Sequence, residues 1–592
     1  MTVPAQVIPY PASGPGAEER QRIEYLLGEL RLAREPFIRH WQDLAKHIKP
    51  RRGRFFLEDV NRGDRRNQAI IDSTATFAAR TLSSGMMSGI TNPAREWFRL
   101  TTPDPDLAEL EAVKEWLHIV TQRMNTVMLR SNFYQVLPVH YIDLGVFGTA
   151  AMSIEEDDDD VIRCTAHPLG SFFIANDEYG RVRTFAREFQ MTTRQIVQRF
   201  ATDQRTGAID LSILSQNLRD AWLQRRYEQR FSVAHLVCQN EDWRPGVGAS
   251  RYKRFASYYW EIGNRPAGGG HWLQKLGYDE FPIFASRWEV SGEDDYATDC
   301  PGMTALGDIR QLQLGEKRIF QGIEKLVSPP MQAAPALRNA RLSFAANDLS
   351  FTNHNADGVK PLYQINPQLE HLEGKQGQVR DRIIRAFFAD LFLMLANDTR
   401  AQRATAREID ERHEEKLLAL GPVLEQLNQD LLNPGIDRIF AIMNRRGFIP
   451  EAPEELRGVS LRVEYISLMA AAQKMVGVSG MERLLSRVVE FAGVAQRPDM
   501  LDAIDTDEWI EEYGEMLGAP PRVLRAKEQI ETLRAGRAEM QQRAQEAEIA
   551  KAEADATAKL ASAKTNDSSV LTDVLGLGGN RPGSPGVLPG RA

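Results

Sequence analysis

Cysteine is nearly absent: three residues, at 164, 238 and 300, stand singly in a chain of 592 with no CxxC pair. That excludes a disulfide framework and a cysteine-rich zinc module, and it fits a reducing compartment. Basic excess is missing too, with 73 Lys+Arg against 81 Asp+Glu and a formal charge of −8. A protein that coats nucleic acid over its whole surface needs the opposite balance. Long lipid-like runs are lacking. The longest, Ala386 to Ala396, is broken by Asp390 and falls far short of the roughly 20 residues that span a bilayer. Residues 1–17 have no basic start and no apolar run, so they read as a disordered arm and not a signal peptide. No membrane association is expected.

Several chemistries are missing as well. No GxxxxGK[ST] occurs, because Gly374-Lys375 is followed by Gln376, so there is no phosphate-cradling loop of that kind. Gly246-Val-Gly248 lacks a third dinucleotide-binding glycine, and no GxSxG elbow or HExxH pair is present. No cofactor, metal or catalytic residue is expected, and the chain reads as a non-enzyme. The acidic run Asp157–Asp160 offers carboxylates for a cation, but it joins two alternating strands without EF-hand spacing. It reads as a solvated hairpin tip. The basic cluster Lys49, Arg51, Arg52, Arg54, Arg62, Arg65 and Arg66 is interleaved with Glu58, Asp59 and Asp64, which suits an interface better than DNA.

A 42% hydrophobic fraction lets the chain bury large cores. A helix is expected from about Glu18, bent at Pro36 and ended by Pro50. A second starts near Asp72 and carries Ala78, Ala79, Ser83, Ser84, Gly85, Ser88 and Gly89, small side chains that permit very close packing. From about 150 to 300 the pattern turns to β: Ala150–Ile154, Val161–Thr165, Ser171–Ala175, Val182–Phe189, Phe231–Cys238, Phe255–Ile262 and Phe281–Trp288 are expected strands. The fold class is therefore α+β, mainly helical. Asp299-Cys-Pro301 opens a helix that runs to Ser328. Residues 328–367 are rich in proline and turn residues, and 368–396 read as one long helix with a wide apolar stripe.

Two long helices around a proline-rich insert form a stalk with a tip. The stripe, which includes Phe387, Phe388, Leu391 and Phe392, implies packing between neighbouring copies or burial in the same chain's core, and the pattern favours the former. Arg380, Arg382 and Arg385 form a polar face in a monomer but repeat around an axis in a ring. The loop Asn397-Asp398-Thr399-Arg400-Ala401-Gln402-Arg403 has the same double meaning. A helix kinked at Gly421-Pro422, another capped at Asn433-Pro434, and a nearly all-helical stretch from 460 follow, ending in the Ala/Glu/Arg-rich run Arg522–Lys564.

In order along the chain stand Trp41-Gln-Asp-Leu-Ala45 with Pro50, Asp72-Ser-Thr74, Leu82-Ser-Ser-Gly85 and Ile90-Thr-Asn-Pro93 with Trp97-Phe98. They are followed by Gly148-Thr-Ala-Ala151, Phe281-Pro282, Arg287-Trp288, Tyr296 and Pro301-Gly302, then Ala404-Thr-Ala-Arg-Glu408, Leu420-Gly-Pro422 and Gly447-Phe-Ile-Pro450. This series resembles the portal, or head-to-tail connector, proteins of podovirus (T7-like) bacteriophages, with Ala297 and Arg407 as departures. The resemblance implies a homo-dodecameric ring at one capsid vertex, through which double-stranded DNA is packaged and ejected. It implies a wing (18–300 and 404–450), stem helices (301–327 and 368–396), a clip (328–367), a tunnel loop (397–403), a helical crown (451–564) and a flexible tail (565–592). Partners would be the terminase large subunit, then the tail adaptor, with major capsid and scaffold proteins around the ring. The location would be the virion, after assembly in the host cytoplasm.

On that resemblance Asn397, Asp398, Thr399, Arg400, Gln402 and Arg403 would face DNA. Lys317, Arg318, Lys325, Arg380, Arg382 and Arg385 would serve the channel or inter-subunit contacts, and Phe387, Phe388, Leu391 and Phe392 the packing of copies. Two other readings stay open: an oligomeric adaptor or scaffold without a DNA channel, and a carboxylate-metal enzyme using Asp157–Asp160.

Overall fold

The computed structural model describes residues 15–57, 63, 65–203, 206–263, 272–328, 331–332, 360–361, 369–396, 420–459, 461–466, 484–488, 490, 508–510 and 527–562. The chain divides into two units, residues 1–518 and 519–592. In the first, helices are α1 (Pro15–His47), α2 (Thr74–Gly89), α3 (Pro105–Glu109), α4 (Glu111–Arg130), α5 (Phe133–Phe147), α6 (Thr193–Ile196), α7 (Gln216–Leu223), α8 (Pro301–Val327), α9 (Leu369–Ala386), α10 (Ala389–Ala396) and α11 (Asn433–Arg445). Strands are β1 (Phe98–Thr101), β2 (Thr149–Asp157), β3 (Val161–His167), β4 (Phe172–Asn176), β5 (Val182–Thr192), β6 (Arg230–Gln239), β7 (Phe255–Glu261), β8 (Gln274–Tyr278), β9 (Ile283–Arg287), β10 (Met331–Gln332), β11 (Lys360–Pro361) and β12 (Arg462–Tyr465). The second unit holds one long helix, α12 (Lys527–Ser562). No helix among the described residues is long and apolar enough to cross a membrane.

The α+β expectation is met by two antiparallel sheets. One has the order β4-β5-β6-β7-β8 and the other β3-β2-β9. β8 was not expected, because its sequence QKLGY is polar and glycine-containing. An edge position explains this, since such a strand needs only one backbone partner. The acidic run turns the β2–β3 hairpin. There the Asp157 carboxylate accepts from Arg163 Nε at 2.6 Å, and Arg446 pairs with Asp158 at 2.8 Å.

α1 crosses the five-stranded sheet. Its Ile23, Leu27 and Leu30, spaced i, i+4, i+7, bury against Phe173, Leu236, Tyr258 and Trp260. Two arginines enter that layer because their N–H groups find carbonyls and their faces find rings. Arg20 lies 5.2 Å from both Trp260 and Trp272 and donates to Glu261 O at 3.1 Å. Arg34 lies 4.1 Å from Phe173 and donates to Gly170 O at 2.8 Å. The helix continues through Pro36, and Trp41, Leu44 and Ile48 join the main core.

That core is built around α2 and α5. The small side chains of α2 face inward, with Ala75, Ala78, Ala79, Ser83 and Gly85 all buried. At Gly85 the approach is closest: a Cβ there would stand 2.0 Å from Phe392 Cγ, so only glycine fits. α11 closes one side of the core through Arg438, which is buried, donates to Ile154 O at 2.7 Å and pairs with Glu280 at 3.1 Å.

Three expectations are revised. The helix expected over 368–396 is broken at Phe387-Phe388, where Phe388 takes a positive φ of 52°. The break expected at Asn433-Pro434 is a π turn, Asn428–Leu432, inside a segment helical from 420 to 445. The turn aims Asp430 at Arg287, a buried pair at 3.1 Å. The region beyond 450 is not only helical, because β12 pairs antiparallel with β1, Arg99 opposite Glu464. Within the insert after α8, β10 pairs antiparallel with β11.

Candidate functional site

The helices α8 and α9 form the feature on which most sequence-derived site residues fall. Asp299 supports the start of α8: its carboxylate accepts from Cys300 N at 2.7 Å and from the Thr304 hydroxyl at 3.1 Å. Ala305, Leu306, Ile309, Leu312 and Ile319 are buried along one side, and α9 runs back along it with Val379 and Ile383 buried. The helices approach closely at Gly315, where a Cβ would meet Gln376 Nε2 at 1.7 Å.

A polar junction fixes this pair to the start of α2. Gln313 Oε1 accepts from Ile71 N at 2.6 Å and Asp72 N at 2.9 Å, and Gln313 Nε2 donates to Asp72 O at 2.7 Å. The Asp72 carboxylate accepts from Thr74 N at 2.7 Å and from Arg380 Nε at 2.9 Å. Arg380 also reaches Glu316 at 2.5 Å. Burial works against the Asp72 anion, but the hydrogen bonds from Thr74 and the Arg380 guanidinium outweigh it and hold its carboxyl below the ordinary range. Arg382 forks onto Asp308 of α8, the shortest contact 2.7 Å.

Of the proposed stem cations, Arg380 and Arg382 are thus engaged within the chain. Lys317, Arg318, Lys325 and Arg385 are exposed and have no ion-pair partner among the described residues. Arg318 and Lys325, seven apart, fall on one line of α8. Phe387, Leu391 and Phe392 are buried within this chain, which is the second of the two readings their stripe left open. Phe388 is half-buried, its ring 6.2 Å from Trp288. The loop residues Asn397, Asp398, Thr399, Arg400, Gln402 and Arg403 lie outside the described residues, as does most of the 328–367 insert.

Sequence reasoning missed the apolar line at the far end of α8. Phe320, Ile323 and Val327 share one face at i, i+3, i+7, and all three are exposed. The signal was present, since a helix end that stays apolar past its last buried contact needs cover. It also missed Gln313, whose role depends on a backbone 241 residues away.

Catalytic machinery is not evident among the described residues. Burial pushes the Cys164 and Cys300 thiols up to about 12 and Cys238 to about 11, so all three stay protonated. Among the described residues, no cluster of three or more His, Cys, Asp or Glu side chains suits a metal ion. A cleft of about 440 Å³ lies between β2, β8 and α11. Its cations are already answered by acids: Lys253 by Asp279 at 3.0 Å, Arg445 by Glu156 at 2.7 Å and Arg199 by Glu155 at 4.0 Å.

Comparison with known proteins supplies what this geometry leaves open. The family described as bacteriophage head to tail connecting protein matches residues 20–524. The portal protein of Salmonella phage epsilon15 is 44% identical over 566 residues, covering 95% of this chain and 99% of that protein. The probable portal protein of Bordetella phage BPP-1 is 38% identical over 558 residues, covering 94% and 98%. The match over residues 20–524, together with two portal relatives aligned end to end, shows that this chain belongs to the bacteriophage head-to-tail connector family.

Proposed function

We propose that this chain is the subunit of a dodecameric portal ring at one capsid vertex. The ring is the conduit for genome packaging and ejection, docking the terminase large subunit first and the tail adaptor later. The observation that carries the reading is end-to-end similarity to portal proteins at 44% and 38% identity. Residues 18–300 and 404–450 act as the wing, 301–327 and 368–396 as the stem, 328–367 as the clip and 451–564 as the crown. The exposed line Phe320, Ile323 and Val327 supports the ring, because a neighbouring copy would cover it.

The DNA-facing work falls to Arg400 and Arg403 in the loop 397–403, with Lys317, Arg318, Lys325 and Arg385 as repeated stem charges. Contacts from such cations are blind to sequence and weaken with salt. At −8 per chain, a dodecamer carries about −96, so most of its surface repels a duplex and leaves the few placed arginines to hold it.

Negative-stain microscopy and light scattering test the ring. A dodecamer of 66.8 kDa chains has a mass of about 800 kDa and a central hole. A monodisperse monomer at capsid-like salt overturns it. A closed disc without a hole favours the adaptor reading. Arg400→Ala with Arg403→Ala should leave the ring intact and lower DNA retention. Unchanged packaging and retention would remove the loop assignment while leaving the ring standing.

A further inference from the structure

The break between α9 and α10 is a conflict between local and tertiary preference. Nothing local calls for it. Residues 369–396 contain no proline, the glycines Gly374 and Gly377 lie well upstream, and Phe387-Phe388 continues the apolar period in phase. The backbone bends there only by placing Phe388 at a positive φ of 52°, a region that disfavours any side chain with a Cβ. Phe388 N donates to Arg385 O at 2.9 Å, a tightened last turn of α9. Phe392 N, bonded to Phe388 O at 3.3 Å, already belongs to α10.

What holds the bend is packing on both sides. Arg380, on α9, is tied to Asp72 at the start of α2. Phe392, on α10, fills the gap over Gly85 farther along the same helix. Both contacts with α2 are made in the bent form, one on each side of the break.

We infer that the Phe387-Phe388 elbow is a two-position joint. In the bent position Phe392 is latched over Gly85. When the latch opens, α9 and α10 run on as one helix and α10 leaves α2. A strained element with an alternative regular packing has the form of a switch. α10 ends at Ala396, so the joint sets the direction of the end of this helix.

Spin labels at Lys375→Cys on α9 and Leu393→Cys on α10, both exposed, report the two positions in the assembled full-length chain carrying Cys238→Ser. Eighteen residues of continuous helix put the labelled backbones about 27 Å apart, and the bend brings them closer. Phe388→Ala and Phe388→Gly both delete the ring that meets Trp288, but they act oppositely on the backbone. Alanine keeps the penalty at positive φ and favours straight helix, whereas glycine relieves the penalty and disfavours straight helix. The long-distance fraction should therefore be roughly tenfold or more higher in Phe388→Ala than in Phe388→Gly.

Gly85→Ala, which drives Phe392 out of its seat, should also raise the long-distance fraction. If that variant does not fold, the Phe388 pair still decides. Equal fractions in the Ala and Gly variants would show that only the ring contact matters and would overturn the joint. Absence of the long distance from every folded variant would overturn it too. DNA retention plays no part in the measurement, so loss of the loop assignment leaves the result readable.

Discussion

Trp260 on β7 and Phe320 on α8 are both large aromatic side chains in regular elements, yet one is 1% exposed and the other 69%. The difference lies in what reaches them. Trp260 sits in a five-stranded sheet and under α1, where Arg20 and Trp272 cover its ring. The partner layer comes from the same chain. On α8, burial within the chain ends at Ile319, and Phe320, Ile323, Leu326 and Val327 are left exposed. The sheet lobe buries its aromatic side chains within the single chain, whereas the end of α8 leaves an apolar face that the proposed ring would cover.

The largest effect that would break this comparison is loss of assembly. If the proposed ring covers this face, Phe320→Asp with Val327→Asp should abolish it, each carboxylate so buried costing several kcal/mol, while the urea midpoint of the chain stays put. Light scattering and urea titration check this together, and intact rings would mean the face is free in the assembly.

Trp260→Ala should do the reverse. It should cost about 3–5 kcal/mol of chain stability, read from the urea midpoint, because neighbours anchored in a sheet cannot collapse into the space.

Acid sharpens the contrast. Burial drives the His140 imidazole down to about 3 and holds His167 and His235 well below their ordinary value. Each is neutral in the fold, with a serine hydroxyl beside Nε2 at 2.9–3.1 Å. Once unfolded, they take a proton below about pH 6.5. Their stability is thus full above pH 6.5 and is lost as pH falls, by about 1.4 kcal/mol per unit for each group, or about 4 for the three. Asp72 has a depressed carboxyl, so its contribution persists to about pH 4 and fades only as pH falls further. His167 on β3, His235 on β6 and His140 on α5 should therefore destabilise their own elements before the Asp72–Arg380 pairing is lost, which hydrogen exchange at pH 5 can check. Simultaneous loss would contradict the separation.

The smallest effect is at Arg382. It is exposed and paired with Asp308 at 2.7 Å, where water screens the pair, so Arg382→Ala should leave the urea midpoint nearly unchanged.

How much of this was legible depends on the range of the cause. Pro301, the stop at Ser328, and the acidic turn between two alternating strands are signalled within a few residues, and the helix and hairpin appear where expected. The small residues of α2 advertised close packing, and Gly85 shows it. The elbow was hidden because the local period runs through the break unchanged, and the Gly85 seat that Phe392 occupies beside it lies about 300 residues away in sequence. Phe387, Leu391 and Phe392 gave no local sign of which surface covers them, since the residues they pack on lie far away in sequence. Gln313 and β12 were hidden for the same reason, each acting on backbone far away in sequence.

The pairing of β1 with β12 has a consequence in time. Arg99 and Glu464, which bind across it at 2.6 Å, are 365 residues apart. At a synthesis rate of about 5–20 residues per second, β1 leaves the ribosome roughly 20–70 s before its partner exists. Until then Phe98 and Leu100, buried in the finished protein, sit on an open strand edge. A chain that stops before residue 462 therefore lacks the partner of β1 and leaves Phe98 and Leu100 without that cover.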